Sequence, residues 1–372
     1  MSILGLLYLL SRLIAIAAII HVVLDNRQPA KTMAWALVIY FVPLIGVILY
    51  LFFGINYRKE RFISRRSMDM LTKRSMLEFV EQRDLKLPPG HESTIDLFVN
   101  QSFSLPFING KADVMLSGYE FFPALLRDIA QARSHVHLDM YIFEDDALGC
   151  LIADALIARA RQGVEVRVIY DDVGCWRVKS RFFERMRKEG IDVEPFMPVR
   201  FPQFTSRANY RNHRKVIVID ARIGYIGGMN IALRYVKGTG LQHTTSRNAY
   251  NGKPCATGMG AGVWRDTMLR LEGGGVNGLQ RIFLIDWYFV DRTLLSDRKY
   301  YTKPEDEGAL VQTVTSGPVS AYPEIMQGYV RTILAAKKYV YIETPYFLPT
   351  DAVFFALKTA AASGVDVRLL VP

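Results

Sequence analysis

Cysteine is scarce. The 372 residues hold three, Cys150, Cys175 and Cys255, with no CxxC pair and one left over in any disulfide scheme. That excludes a disulfide-stapled secreted scaffold, argues against a structural zinc site and fits a reducing compartment. No His/Asp/Glu cluster with ligand spacing is present either, so neither a metal nor another cofactor is expected. The glycine run EGGGVNG lacks the strand–GxxxxGK–helix context of a phosphate loop and reads as a turn. No positive charge precedes the first apolar run, which therefore lacks the n-region of a cleaved signal peptide. Negative charge is in deficit, leaving a net charge of +10. Such a balance suits nucleic acid, an anionic membrane surface or a phosphate-bearing substrate, and does not choose among them.

What is present begins with hydrophobicity. Ile3 to Leu24 is apolar except for Ser11, Arg12 and His21, and Met33 to Gly54 is apolar throughout, with Pro43 and Gly46 inside it. Each run is about 20 residues, the length that crosses roughly 30 Å of hydrocarbon. The polar stretch DNRQPAKT joins them, so residues 1–56 read as a transmembrane hairpin, with Trp35 placed as an interfacial anchor. Arg58, Lys59, Arg61, Arg65 and Arg66 follow the second run, against Arg27, Lys31 and Asp25 in the connecting loop. The positive-inside rule puts everything after residue 57 in the cytoplasm, with the basic cluster against anionic headgroups.

Residues 57–110 read as a basic juxtamembrane linker with some helix, ending in LPPGHES. From Lys111 the pattern is α/β: strand HVHLDMYIF, helix LGCLIADALIARARQG with Gly163 at its C-terminal end, strand VEVRVIYDD. The unit recurs as YVYIETPYF, FFALKTAAASG and VDVRLLVP. Val136, Leu138, Asp139 and Phe143 align with Val340, Ile342, Glu343 and Phe347, and GVEVR matches GVDVR after a three-residue shift. Shared register over about fifty residues predicts a duplication. Residues 111–300 form the first unit and 301–372 the start of a second.

Chemistry concentrates in NYRNHRKVIVIDARIGYIGGMNIA. HRKVIVID predicts a strand, and alternation points His213 and Lys215 to the same face. Asp220 has the opposite parity and sits at a turn, better placed to tie down backbone than to touch a substrate. Gly227 and Gly228 would let backbone approach a ligand, with Asn230 as a donor beside it. A neutral imidazole, an ammonium and an amide together suit phosphoryl transfer: the imidazole attacks phosphorus while the other two neutralise charge on the non-bridging oxygens. A nucleophilic histidine needs a carboxylate on its other nitrogen, and Asp266 in VWRDTMLRL is the candidate.

HxKxxxxD followed by GGxN resembles the signature of the phospholipase D superfamily. GYIGGMNIA, and WRDTMLRLEG ahead of LQRIFLIDWYF, resemble bacterial cardiolipin synthases, as does NRQPAKTMAWALVIYFVPLIGVILYLFFG at the N-terminus. The resemblance implies a phospholipase D-like α/β fold, a mixed sheet flanked by helices, in a multi-pass protein of the bacterial inner membrane. It implies that two phosphatidylglycerol molecules give cardiolipin and glycerol by phosphatidyl transfer through a phosphohistidine. On it, His213 is a catalytic histidine, Lys215 and Asn230 hold the phosphate, Asp220 completes the motif and Asp266 orients the imidazole. The family builds one site from two such motifs, and the repeat offset puts the second about forty residues past Pro372, so the 372 residues alone are expected to be inactive. The oligomeric state is left open.

Two other functions compete. A phospholipase D or phosphodiesterase would use water as acceptor, and a catalytically incomplete fragment would only bind lipid. No nucleic-acid partner is expected, because a nuclease gains nothing from membrane spans. His135 and His137, two apart on one strand, read as satisfied imidazoles rather than a metal pair. The stretch 231–263, between Asn230 and Trp264 and rich in Gly and Thr, reads as a loop near the site entrance.

Overall fold

The computed structural model describes residues 3–25, 29–54, 87–199, 211–237, 265–303, 307–317, 320 and 322–371. The basic cluster at 58–66, most of the expected linker and the glycine- and threonine-rich stretch at 238–264 lie outside them.

Three helices open the chain: α1 (Ile3–Asp25), α2 (Pro29–Phe41) and α3 (Pro43–Phe53). The second apolar run is thus not one continuous span. Proline at 43 has no N–H to continue the ladder, and Val42 leaves helical geometry at φ −130°, ψ 73°. The bend is tight: a Cβ on Gly46 would lie 2.8 Å from Ile39 Cα, so only glycine fits there. Among the described residues no helix is long and apolar enough to cross a membrane. α2 and α3 have 13 and 11 residues, and the 23-residue α1 carries Arg12, which donates to Tyr8 Oη and to Tyr40 O of α2.

The remaining elements are α4 (Glu92–Ser102), β1 (Pro106–Asn109), β2 (Lys111–Met115), α5 (Gly118–Gln131), β3 (His135–Met140), α6 (Ala147–Ala160), β4 (Glu165–Asp171), α7 (Ser180–Lys188) and β5 (Asp192–Phe196). Then follow β6 (Lys215–Ile219), β7 (Ile223–Gly227), α8 (Arg234–Lys237), β8 (Met268–Glu272), α9 (Val276–Asp291), β9 (Ala309–Gln312), α10 (Glu324–Ala335), β10 (Tyr339–Glu343), α11 (Asp351–Ala362) and β11 (Asp366–Leu370). Seven strands form one mixed sheet in the order β2-β8-β7-β6-β3-β4-β5. β3, β4 and β5 run parallel, and the other pairs are antiparallel. β3 therefore has a parallel neighbour on one side and β6, the motif strand, on the other.

Alternation along β3 sorts the two faces. Val136, Leu138 and Met140 join the core built with α5, α6 and α7, around Leu125, Ile152 and Phe183. His135, His137 and Asp139 face the other way yet are all buried, under α9. Helix α6 starts where Asp146 accepts from Gly149 N at 2.9 Å, and the chain leaves it through Gly163 at φ +87°.

The order α5-β3-α6-β4 reappears as α10-β10-α11-β11, again with a parallel strand pair. His135 pairs with Glu165 and Val136 with Val166 in the first unit; Tyr339 pairs with Asp366 and Val340 with Val367 in the second.

Candidate active site

His213 lies exposed, two residues before β6, rather than inside the strand, and Lys215 is the first residue of β6, with 3% of its surface accessible. The Lys215 ammonium donates to His213 O at 2.8 Å and sits 3.2 Å from His213 Nδ1. Partial burial of the ring, and then the Lys215 charge, push the imidazole pKa below its ordinary value, which favours the neutral ring at neutral pH. Burial also brings Lys215 down to about 8, against the pull of Asp266, Asp139 and Asp171. A neutral imidazole beside a cation with N–H donors is the pairing a phosphate diester needs.

The residues on either side of His213 are pinned. Asn212 Nδ2 donates to both carboxylate oxygens of Asp139, at 2.9 and 3.0 Å, and Asn212 N donates to Asp171 Oδ2 at 3.0 Å. Arg214 is ion-paired with Asp286 of α9 and donates to Thr315 Oγ1 at 2.6 Å. Burial, and then the neighbouring Asp286, hold the Asp139 carboxyl well above the usual range. Three buried carboxyl groups from β3, β4 and α9 thus fix the backbone around one exposed ring.

Asp220 occupies the turn between β6 and β7 in left-handed conformation, φ 52°. Its carboxylate accepts from Arg133 N (2.8 Å), Ser134 N (2.7 Å) and His135 N (3.0 Å), tying the start of β3 to the turn. Asn230 is buried; its Oδ1 accepts from Ile142 N at 3.1 Å and its Nδ2 donates to Tyr235 Oη at 2.5 Å. One of its two amide hydrogens is thereby committed within the protein.

Asp266 accepts from its neighbour Thr267 N at 2.7 Å, and no hydrogen bond among the described residues joins it to His213. The group at Nδ1 is Lys215. The two glycines of GGxN make room for Asp266 and its strand: a Cβ on Gly228 would fall 2.0 Å from Asp266 Oδ1, and one on Gly227 2.3 Å from Thr267 O. Their small size serves the packing of β7 against β8.

His135 and His137 are held by Gln280, whose side chain reaches His137 Nδ1 at 2.8 Å and His135 Nε2 at 3.3 Å. His137 also stacks on Phe283 at 4.3 Å. Burial lowers the pKa of both, His135 to about 4, so the pair sits neutral in the core beneath α9.

Beside the motif lies a cavity of about 730 Å³, lined in part by Tyr141, Glu144, Trp176, Arg177 and Arg234. A mixed sheet that carries HxKxxxxD and GGxN, with Tyr141 joining the His213 ring to the wall of this cavity, defines a phospholipase D-like enzyme.

The comparisons narrow this. Residues 125–239 match the family described as cardiolipin synthase, PLD-like domain, and residues 13–54 match phospholipase D-nuclease N-terminal. The cardiolipin synthase of Oceanobacillus iheyensis is 35% identical over 99% of this chain and 74% of its own length. Cardiolipin synthase 2 of Bacillus cereus is 35% identical over 94% of this chain and 65% of its own. The chain thus spans about two thirds to three quarters of these relatives. Among solved structures, phosphatidylserine synthase of Haemophilus influenzae is similar at a TM-score of 0.48 and 15% identity, covering 74% of this chain and 64% of that one. The chain belongs to the bacterial cardiolipin synthases of the phospholipase D superfamily, which are membrane-associated phosphatidyltransferases.

Proposed function

We propose that His213 is the nucleophile of a two-step phosphatidyl transfer between phosphatidylglycerol molecules. The unprotonated nitrogen of the neutral imidazole attacks phosphorus, the P–O bond to the headgroup breaks, and the departing glycerol oxygen takes one proton from water. A hydroxyl of a second phosphatidylglycerol then attacks the phosphohistidine, loses its proton, and carries the phosphatidyl group away as cardiolipin. Lys215 neutralises the non-bridging oxygens in both steps, and Asn230 offers its remaining amide hydrogen. Asp266 acts through its charge on Lys215, and Asp220 holds the turn. The observation that carries this reading is the Lys215 ammonium 3.2 Å from an exposed, neutral imidazole whose flanking residues are both clamped.

We also read α1–α3 as the membrane-embedded part, with the rest on the cytoplasmic side. Leu9, Leu13, Ile16, Ile20, Leu44 and Ile48, among others, each expose about half their surface, which suits lipid and not water. The bent α2–α3 pair fits partial entry better than a straight span. The repeated element order and strand register support reading residues 111–300 and 301–372 as two copies of one unit.

The test supplies the full-length enzyme in phosphatidylglycerol vesicles and assays products. Free glycerol and cardiolipin in equal amounts support transfer, while accumulating phosphatidic acid would point to water as acceptor. Cardiolipin formation unchanged in His213→Ala would remove His213 from the mechanism.

A further inference from the structure

We propose that Tyr141 is a positioning residue for phosphatidyl transfer: its ring face holds the Lys215 ammonium in place and flanks the His213 imidazole at the edge of the adjoining cavity. The inference rests on the reading of His213 and Lys215 given above.

Tyr141 directly follows β3, and its N–H donates to Arg214 O at 3.0 Å, so its backbone is joined to the segment that carries His213. Its ring centroid lies 4.4 Å from that of His213, tilted by 51°, and 5.0 Å from Lys215 Nζ. On another side the turn after β4 presses in: a Cβ on Gly174 would fall 2.2 Å from Tyr141 O and 3.0 Å from its Cε2. Glycine there leaves the ring room, and the Asp171 carboxylate fixes that turn by accepting from Gly174 N at 2.8 Å. The same ring lines the 730 Å³ cavity.

The choice of an aromatic face has a chemical reason. The charged or titratable groups around Lys215 are His213, Asp266, Asp139 and Asp171. An ammonium has three N–H donors, and one goes to His213 O; His213 Nδ1 lies 3.2 Å away, and the ring can attack only if its lone pair is not held by the ammonium. A carboxylate packed directly on the amine would take another. An aromatic face stabilises the cation through its quadrupole and takes none, leaving that hydrogen for a phosphate oxygen. Burial keeps the Tyr141 phenol above its ordinary pKa, so it adds no competing anion.

The test compares Tyr141→Phe with Tyr141→Leu in the full-length enzyme on phosphatidylglycerol vesicles, with kcat, KM and the pH profile measured for each. Loss of the ring in Tyr141→Leu is expected to lower kcat by about tenfold with KM within about threefold, and to move the alkaline limb down by roughly half to one pH unit. Tyr141→Phe is expected to restore kcat to within about threefold and return the limb to its wild-type position. Tyr141→Met, which fills the volume without a ring, replaces Leu if that variant does not fold. An unmoved alkaline limb in the ringless variant overturns the inference, as does a Phe variant that loses as much as Leu. If His213→Ala still makes cardiolipin, it is the underlying reading that fails; if His213→Ala is dead and the limb stays put, only the role of Tyr141 does.

Discussion

Replacing Asp220 by alanine separates a structural aspartate from a catalytic one. Its carboxylate accepts three backbone N–H groups, from Arg133, Ser134 and His135. Arg133 is exposed and its amide can turn to water, but His135 is fully buried and Ser134 half so. Hydrogen bonds to a charged acceptor contribute about 1.5–3 kcal/mol each, so losing the two sheltered ones costs roughly 3–6 kcal/mol. The left-handed φ of 52°, easy for aspartate and hard for alanine, adds about 1 kcal/mol. The expected total of about 5 kcal/mol is a large share of a typical domain's stability and corresponds to a fall in Tm on the order of 10 °C. Asp220→Asn tolerates the same φ and keeps one accepting oxygen, so about half that loss is expected. Thermal melting of the purified full-length protein measures both. If Asp220→Ala melts with the wild type while turnover disappears, the aspartate works on the substrate and the structural account of it is wrong.

Removing Asp286 leaves the Arg214 guanidinium buried without its ion-pair partner, at a cost of about 3–5 kcal/mol, so Asp286→Ala should lower the urea midpoint sharply. Asp286→Leu should be no better, because the arginine is still stranded. Acid should weaken the fold through the buried histidines. Both have folded-state pKa values below the ordinary 6.5, so the unfolded chain binds more protons as pH falls. Stability is therefore full above about 6.5 and declines as pH falls below it, by roughly 2 kcal/mol at pH 5 for His135 with its pKa of about 4, with His137 acting in the same direction. Urea titrations at pH 7 and pH 5 measure the drop, and equal midpoints would contradict the buried, neutral assignment.

Much of the sheet was legible in the sequence because period-2 and period-3.6 patterns are local. HVHLDMYIF and VEVRVIYDD read as strands, and they pair in parallel as β3 and β4. His213 and Lys215 lie together, but His213 precedes β6, so its place rests on the clamped Asn212 and Arg214 rather than on strand alternation. What escaped depends on long-range partners. Asn212 and Arg214 adjoin His213 in sequence, yet Asp139 and Asp286 lie more than seventy residues away on either side. The local hints were weak: Asp139 at the centre of HVHLDMYIF, matched by Glu343 in the repeat, and a single carboxylate inside the apolar run RIFLIDWYF. Gly227 and Gly228 suggested room for a ligand, whereas the space they leave is taken by the Asp266–Thr267 segment. Pro43 was visible as a residue, but the bend it allows also needs Gly46 against Ile39, a contact between successive turns that no hydropathy window contains. Tyr141 gave no signal, because a tyrosine after a strand reads as ordinary core edge until the neighbouring strand places a lysine under it.

The central claim is that His213 bonds to lipid phosphorus. Phosphatidylglycerol carrying a labelled phosphate, mixed with the full-length enzyme and quenched in base within a turnover, tests it by peptide mapping. The account predicts acid-labile, base-stable label on the peptide containing His213, absent in His213→Ala. Turnover to cardiolipin with no label on that peptide at any quench time would contradict it.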